Sequence, residues 1–141
     1  MKTKKIFGLI ITVIAVICLA MTTFIFRGAD VSEVSRTILP EEPQSFTVGQ
    51  VNNAMDAVTS YFKREFEGCK LTALCYDEAF SDEAAAAWQE KAGGEIMVLQ
   101  SSFLVGAGGG DGSLTPNGSY TGWQWVLALR GSGWEILSNG Y

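Results

Sequence analysis

The sequence predicts an α+β domain carried behind one N-terminal transmembrane helix. Three observations lead there. An apolar run, Ile6 to Phe26, holds 21 residues without a charge. Two helical segments follow it, the first with the apolar spacing of an amphipathic helix and the second marked by its start and stop signals. The last third then switches to alternating strands punctuated by glycine. Strands joined by short turns pair antiparallel, and helices must bury an apolar stripe against them. The simplest solution is a small curved antiparallel sheet with two helices packed on one face, leaving a pocket on its concave side.

The apolar run, as a helix, would span about 30 Å, the thickness of a bilayer's hydrocarbon core. Lys2, Lys4 and Lys5 precede it and only Arg27 follows closely. The positive-inside rule therefore places the N-terminus in the cytoplasm and residues 28–141 outside the cell membrane. The main rival is a cleaved signal peptide, which has a shorter apolar stretch of about 7–15 residues and a small-x-small cleavage site. Leu19-Ala20-Met21 is a poor such site, and Cys18 follows Ile17 rather than the small residue a lipoprotein needs. Residues 1–27 are thus expected to be a cytoplasmic tip and retained signal anchor.

Residues 28–141 keep all 15 acids but only six of the ten basic side chains, a net charge of −9 against −5 for the whole chain. That balance disfavours nucleic acid, which is held by Lys and Arg on phosphate. It also keeps the domain from lying on an anionic lipid surface. The chain has no histidine. This excludes a Ser-His-Asp triad, a Cys-His pair and a His-ligated zinc.

Residues 28–45 include Pro40-Glu41-Glu42-Pro43 and read as an extended linker. The folded domain is expected over 46–141. Thr47-Val48-Gly49-Gln50 matches a capping box, flanked by the hydrophobic staple pair Phe46 and Val51. Val51, Met55, Val58, Phe62 and Phe66 then share one face of a helix over about 48–67, with Gly68 beyond its end. A short strand is expected near 70–76. Ser81-Asp82-Glu83 reads as the start of a second helix, ended by Gly93-Gly94. Residues 93–141 hold 12 of the 16 glycines, three of the four tryptophans and only four charged side chains. They read as a strand over 96–105 interrupted by Ser101, a glycine-rich loop over 106–118, a strand over 120–130 and a last strand over 134–137. In the second of these, Trp123, Trp125, Leu127 and Leu129 share a face.

The segment Gly109-Gly110-Asp111-Gly112-Ser113-Leu114-Thr115-Pro116-Asn117, followed by Tyr120, Trp123-Gln124-Trp125 and Arg130, resembles a known family. So does Ala54-Met55…Tyr61-Phe62…Phe66-Glu67-Gly68-Cys69-Lys70-Leu71-Thr72 with Tyr76-Asp77-Glu78 after it. The family is an uncharacterised bacterial extracytoplasmic domain, common in Gram-positive anaerobes. It is found as membrane-anchored single proteins and beside membrane metallopeptidases of the penicillin-receptor type. The resemblance covers about residues 47–141. It implies a cystatin-like or nuclear-transport-factor-2-like cone and no established activity. Two positions depart from the pattern: Cys75 replaces a tryptophan, and Asn139 stands where a histidine often precedes Gly-Tyr.

The glycine-rich loop has the composition of a phosphate nest but lacks a Gly-Lys-Ser/Thr ending and carries Asp111. Asp111, Ser113, Thr115 and Asn117 alternate like a calcium loop, yet position 12 is Gly122 rather than glutamate. Turn chemistry accounts for every residue in it. No metal and no cofactor are therefore expected. Cys69 and Cys75, six residues apart in one strand, would be about 20 Å apart and unable to form a disulfide without a bend. Asp77 and Glu78, adjacent in sequence, point to opposite faces of a strand and do not readily flank one substrate atom. The leading expectation is a non-enzymatic ligand- or protein-binding module, with Asp111, Asn117, Tyr120, Trp123 and Trp125 as its patch. The partner would be a small molecule, a peptide or another envelope protein. The alternative is a small cone-shaped enzyme using Asp77 or Glu78 as a buried general base.

Overall fold

The computed structural model describes residues 28–141; the expected anchor, residues 1–27, lies outside the described residues. Among the described residues no helix is long and apolar enough to cross a membrane. The chain runs β1 (Ser35–Leu39), α1 (Val48–Glu65), β2 (Cys69–Asp77), α2 (Glu78–Ala92), β3 (Ile96–Val105), β4 (Ser119–Arg130) and β5 (Gly133–Gly140). The fold is α+β, with one five-stranded sheet whose strand order follows the sequence. Strands β2 to β5 are antiparallel neighbours, as expected.

Strand β1 corrects two expectations. It pairs parallel with β2, so the sheet is not wholly antiparallel. The cause is the connection: α1 lies between the two strands and carries the chain back to its starting end, as a parallel pair requires. Residues 28–45 are also more than a spacer. Ala29 is buried, its N–H donates to the Lys63 carbonyl at 3.0 Å, and Asp30 bridges Lys70 at the start of β2. The flanking prolines and acids hide this short edge strand, which covers the open side of β2.

Helix α1 begins with the full capping box. The Thr47 hydroxyl accepts the Gln50 N–H at 3.1 Å and the Gln50 side chain accepts the Thr47 N–H at 2.9 Å. Its face of Val51, Ala54, Met55, Val58 and Phe62 is buried. The helix ends at Glu65, slightly before the expected position, and Phe66 caps it with an N–H still donated to the Phe62 carbonyl. Phe66 leaves the helical path and enters a cluster of rings with Phe62, Phe103, Trp123 and Trp125.

Helix α2 starts earlier than expected. Asp77 is its N-cap, accepting the Phe80 N–H at 3.2 Å. Ser81 lies inside the helix, fully buried, and its hydroxyl accepts the Val98 N–H at 3.0 Å. The β2–β3 ladder stops at Cys75 and Gln100, where β2 turns into α2. Ser81 thus supplies an acceptor to β3 where its neighbouring strand has departed. At the other end of α2, Arg130 donates to the Ala92 and Gly93 carbonyls at 3.0 and 3.1 Å and pairs with Glu135.

The helices pack on opposite faces of the sheet, not on one. Met97 and Leu99 of β3 and Trp125 and Leu127 of β4 join α1 in the larger core. The alternate residues Ile96, Val98, Val126 and Ala128 join Ala85 of α2 in a second core. Four consecutive buried residues in β3, Ile96 to Leu99, record this two-sided cover. Beyond α2 the same face carries Ala73, Cys75, Gln100, Ser102 and Gly122, which line a shallow cleft of about 230 Å³.

Three irregularities set which residues reach the larger core. Thr72 is the extra residue between the pairs Leu71–Phe103 and Ala73–Ser102. Thr121 and Gly122 lie opposite Ser102, with Gly122 at φ 71°. Leu137 is extra in β5 between the partners of Val126 and Leu127. Such bulges shift the alternation by one residue. Leu71 and Leu74 consequently both face α1, and Tyr120 shares that face with Trp123. Cys69 and Cys75 fall on opposite faces and are free thiols.

Tyr76 is completely buried, and its hydroxyl has no hydrogen-bond partner, Ser81 included. Burial, reinforced by the nearby Glu78 and Asp82 carboxylates, pushes its ionisation up to about 12. An unfolded tyrosine ionises near pH 10. Because the charged form is disfavoured in the fold, the stability linked to neutral Tyr76 is complete below about pH 10 and is lost as pH rises towards 12. Tyr76→Phe is expected to stabilise the protein by about 1 kcal/mol at neutral pH, since an unpaired buried hydroxyl is removed. Urea unfolding between pH 9 and 12 should show a shallower alkaline loss in the variant; parallel curves would assign that loss to other groups.

Candidate functional site

The larger core opens at the C-terminal end of α1 into a cleft of about 310 Å³. Its walls come from three places: Tyr61, Glu65 and Phe66 of α1 and its cap; Gly110, Asp111, Ser113 and Leu114 of the glycine-rich loop; and Trp123 and Asn139 of β4 and β5. Cys69, at the start of β2, completes it. The volume is at the lower end of small-molecule sites.

The loop takes this position through backbone bonds. Val105 N–H donates to Gly118 O at 2.9 Å and Asn117 N–H to Gly106 O at 3.0 Å, closing its base. Gly106 N–H donates to Gly68 O at 2.9 Å, which fastens it to the turn after α1. Within it, the Gly109 carbonyl accepts from both Gly112 and Leu114. Gly109, Gly110 and Gly112 have φ of 70°, 66° and 96°, where a side chain is disfavoured. Leu114 then packs on the larger core.

Asp111 is fixed by an Asx turn. Its carboxylate accepts the Ser113 N–H at 2.9 Å and the Ser113 hydroxyl. These bonds hold its carboxyl below the usual carboxylate range, so it is ionised at neutral pH. Burial, and secondarily the Asp111 charge, pushes the Cys69 thiol up. Burial and then Asp77 do the same at Cys75. Both cysteines are therefore thiols at neutral pH and weak nucleophiles.

The structure separates the five residues of the expected patch. Asp111 and Trp123 line the same cleft. Tyr120 stands beside it, stacked on Phe103 at 4.9 Å, with its hydroxyl engaged by the Thr115 N–H at 3.1 Å. Asn117 is an exposed turn residue at φ 56°. Trp125 is corrected to a core residue: it has no exposed surface, and its indole N–H donates to the Ser101 hydroxyl at 2.8 Å. Trp123 and Trp125 do share a face, but Trp125 lies deeper under α1, ringed by Tyr61, Phe62 and Phe66.

Tyr61, Glu65, Phe66, Cys69 and Asn139 belong to the cleft without having been singled out as ligand contacts. Tyr61 and Glu65 are four apart on α1, a spacing that puts both on one side of a helix. Asn139 sits opposite Trp125 in the β4–β5 ladder, and its side-chain oxygen accepts the Trp123 indole N–H at 3.3 Å. The two candidate bases are otherwise occupied. Asp77 caps α2, and Glu78 accepts the backbone N–H groups of Gln44 and Ser45. Among the described residues no acid is buried, and no group of three or more His, Cys, Asp or Glu side chains is placed to hold a metal.

No family model, curated protein or solved structure matches the chain.

Proposed function

We propose that this protein is a membrane-tethered, extracytoplasmic binding module whose ligand enters the cleft between α1, the glycine-rich loop and β4. The observation that carries the reading is the meeting of Asp111 and Trp123 with Tyr61 and Glu65 of α1, about fifty residues away in sequence, in one cleft of about 310 Å³. The uncharged run Ile6 to Phe26 behind Lys2, Lys4 and Lys5 supports the tether and its orientation. The likeness of the Gly-Asp-Gly-Ser-Leu and Trp-x-Trp segments to an uncharacterised extracytoplasmic family supports the same setting. Asn139 stands in the cleft where that pattern often has histidine, in keeping with binding rather than proton transfer.

The test is a fragment screen on the full chain in detergent micelles, read by the NMR shift of the Trp123 indole N–H. Compounds that shift it are then titrated by calorimetry, and are expected to lose about tenfold or more in affinity in Asp111→Asn and Trp123→Ala, equivalent to about 1.4 kcal/mol. Unchanged affinity in both variants, with the fold intact by circular dichroism, would overturn the reading.

A further inference from the structure

We propose that the cleft takes an organic cation, an alkylammonium or quaternary ammonium group, and that this charge is what it selects. The inference rests on the cleft being the binding site and names its ligand class. Its walls combine three aromatic side chains, Tyr61, Phe66 and Trp123, with two carboxylates, Glu65 and Asp111, and no Lys or Arg. Aromatic rings attract cations through their quadrupole, and carboxylates add direct attraction. A carboxylate or phosphate ligand would meet two like charges there. Asp111 is held in place by Ser113 rather than by a basic partner, so its charge is uncompensated within the cleft.

The protein already shows the interaction at the margin of the site. The Arg64 guanidinium lies 5.8 Å from the centre of the Tyr61 ring and 3.7 Å from the Glu65 carboxylate. Arg64 is exposed and is not among the lining residues, so this is a competing contact that an incoming cation would replace. A weak exposed pair of this kind offers little resistance.

Choline, its uncharged isostere 3,3-dimethyl-1-butanol and N-acetyl-lysine amide are titrated into the full chain in zwitterion-free detergent, following the Trp123 indole signal. At least one of the two cations is expected to bind about tenfold more tightly than the isostere. The tighter of the two tells a quaternary headgroup source from a lysine-bearing peptide. Asp111→Asn should cost the cation more than the isostere and so erase most of that preference, and added salt should weaken cation binding only. Arg64→Gln should bind the cation at least as well as the parent. Equal binding of cation and isostere would overturn the charge selection while leaving the cleft as a ligand site. Failure of both cations to bind, when fragments from the wider screen do, would overturn the ligand class. Loss of cation binding in Arg64→Gln would also overturn the inference, because it would make Arg64 part of the recognition.

Discussion

Trp125→Ala is expected to remove about 3–5 kcal/mol of stability, the usual loss for a large aromatic side chain excised from a packed core. Trp125 has no exposed surface and packs against Tyr61, Phe62 and Phe66, so three rings lose a partner and little can collapse into the space. A small domain has only about 5–15 kcal/mol in total, so this variant stands near the limit of folding. Trp125→Phe keeps a ring and removes the indole N–H that donates to Ser101. Measured by urea unfolding, Trp125→Phe and Ser101→Ala should each cost about 1–3 kcal/mol, and the double variant clearly less than their sum. Strict additivity would show that the buried bond contributes nothing of its own.

Gly109→Ala is expected to cost about 2 kcal/mol or more and to abolish ligand binding even where the core persists. Gly109 has φ 70°, and an added Cβ would lie 2.7 Å from the Leu114 carbonyl oxygen and 3.3 Å from the Pro116 ring. Both neighbours belong to the same tight loop, so relief requires moving the stretch that carries Asp111 and Leu114 away from the cleft. Gly108→Ala is the matched control, since its Cβ would meet nothing within 4 Å and its backbone is not left-handed. A Gly109→Ala protein that bound ligand as well as the Gly108→Ala protein would show that loop placement does not matter to the site.

Much of the fold was legible because its signals are local. The capping box of Thr47 and Gln50 and the apolar spacing from Val51 to Phe62 need only neighbours along the chain, and α1 follows them. The glycine-rich loop and the strands on either side of it were likewise marked by turn chemistry and alternation. The parts that were not legible depend on distant partners. Ser81-Asp82-Glu83 has the composition of a helix start, yet Asp77 starts α2 and Ser81 serves β3 instead. Ser101 looked like a break in an apolar strand, and it is the acceptor for a buried indole. Strand β1 is five residues beside a proline and acids, and only the open edge of β2 gives it a place.

The site was half legible for the same reason. Spacing by two put Trp123 and Trp125 on one face, but depth beneath α1 decides which of them meets a ligand. Alternation says nothing of that depth. Asp111 stood out as the one charge in the glycine-rich loop. Its companions Tyr61, Glu65 and Asn139 come from elements that the sequence places elsewhere, and only the fold-back of the loop onto Gly68 brings them together.

The irregular residues in β2, β4 and β5 are the places in this sheet where one residue can be lost without changing which side chains face the core. Thr72 is half-buried, and many side chains would fit there. Deleting it leaves Leu71 and Leu74 two apart in an unbroken ladder and still on the face they share, whereas losing the paired residue Lys70 would turn Cys69 to the opposite face. The same holds for a codon lost at Thr121, which would leave Tyr120 two residues before Trp123 and still on its face. Descendants of this gene can thus shed a codon at these three points, while gains and losses elsewhere in the strands are opposed by the core they would turn outward.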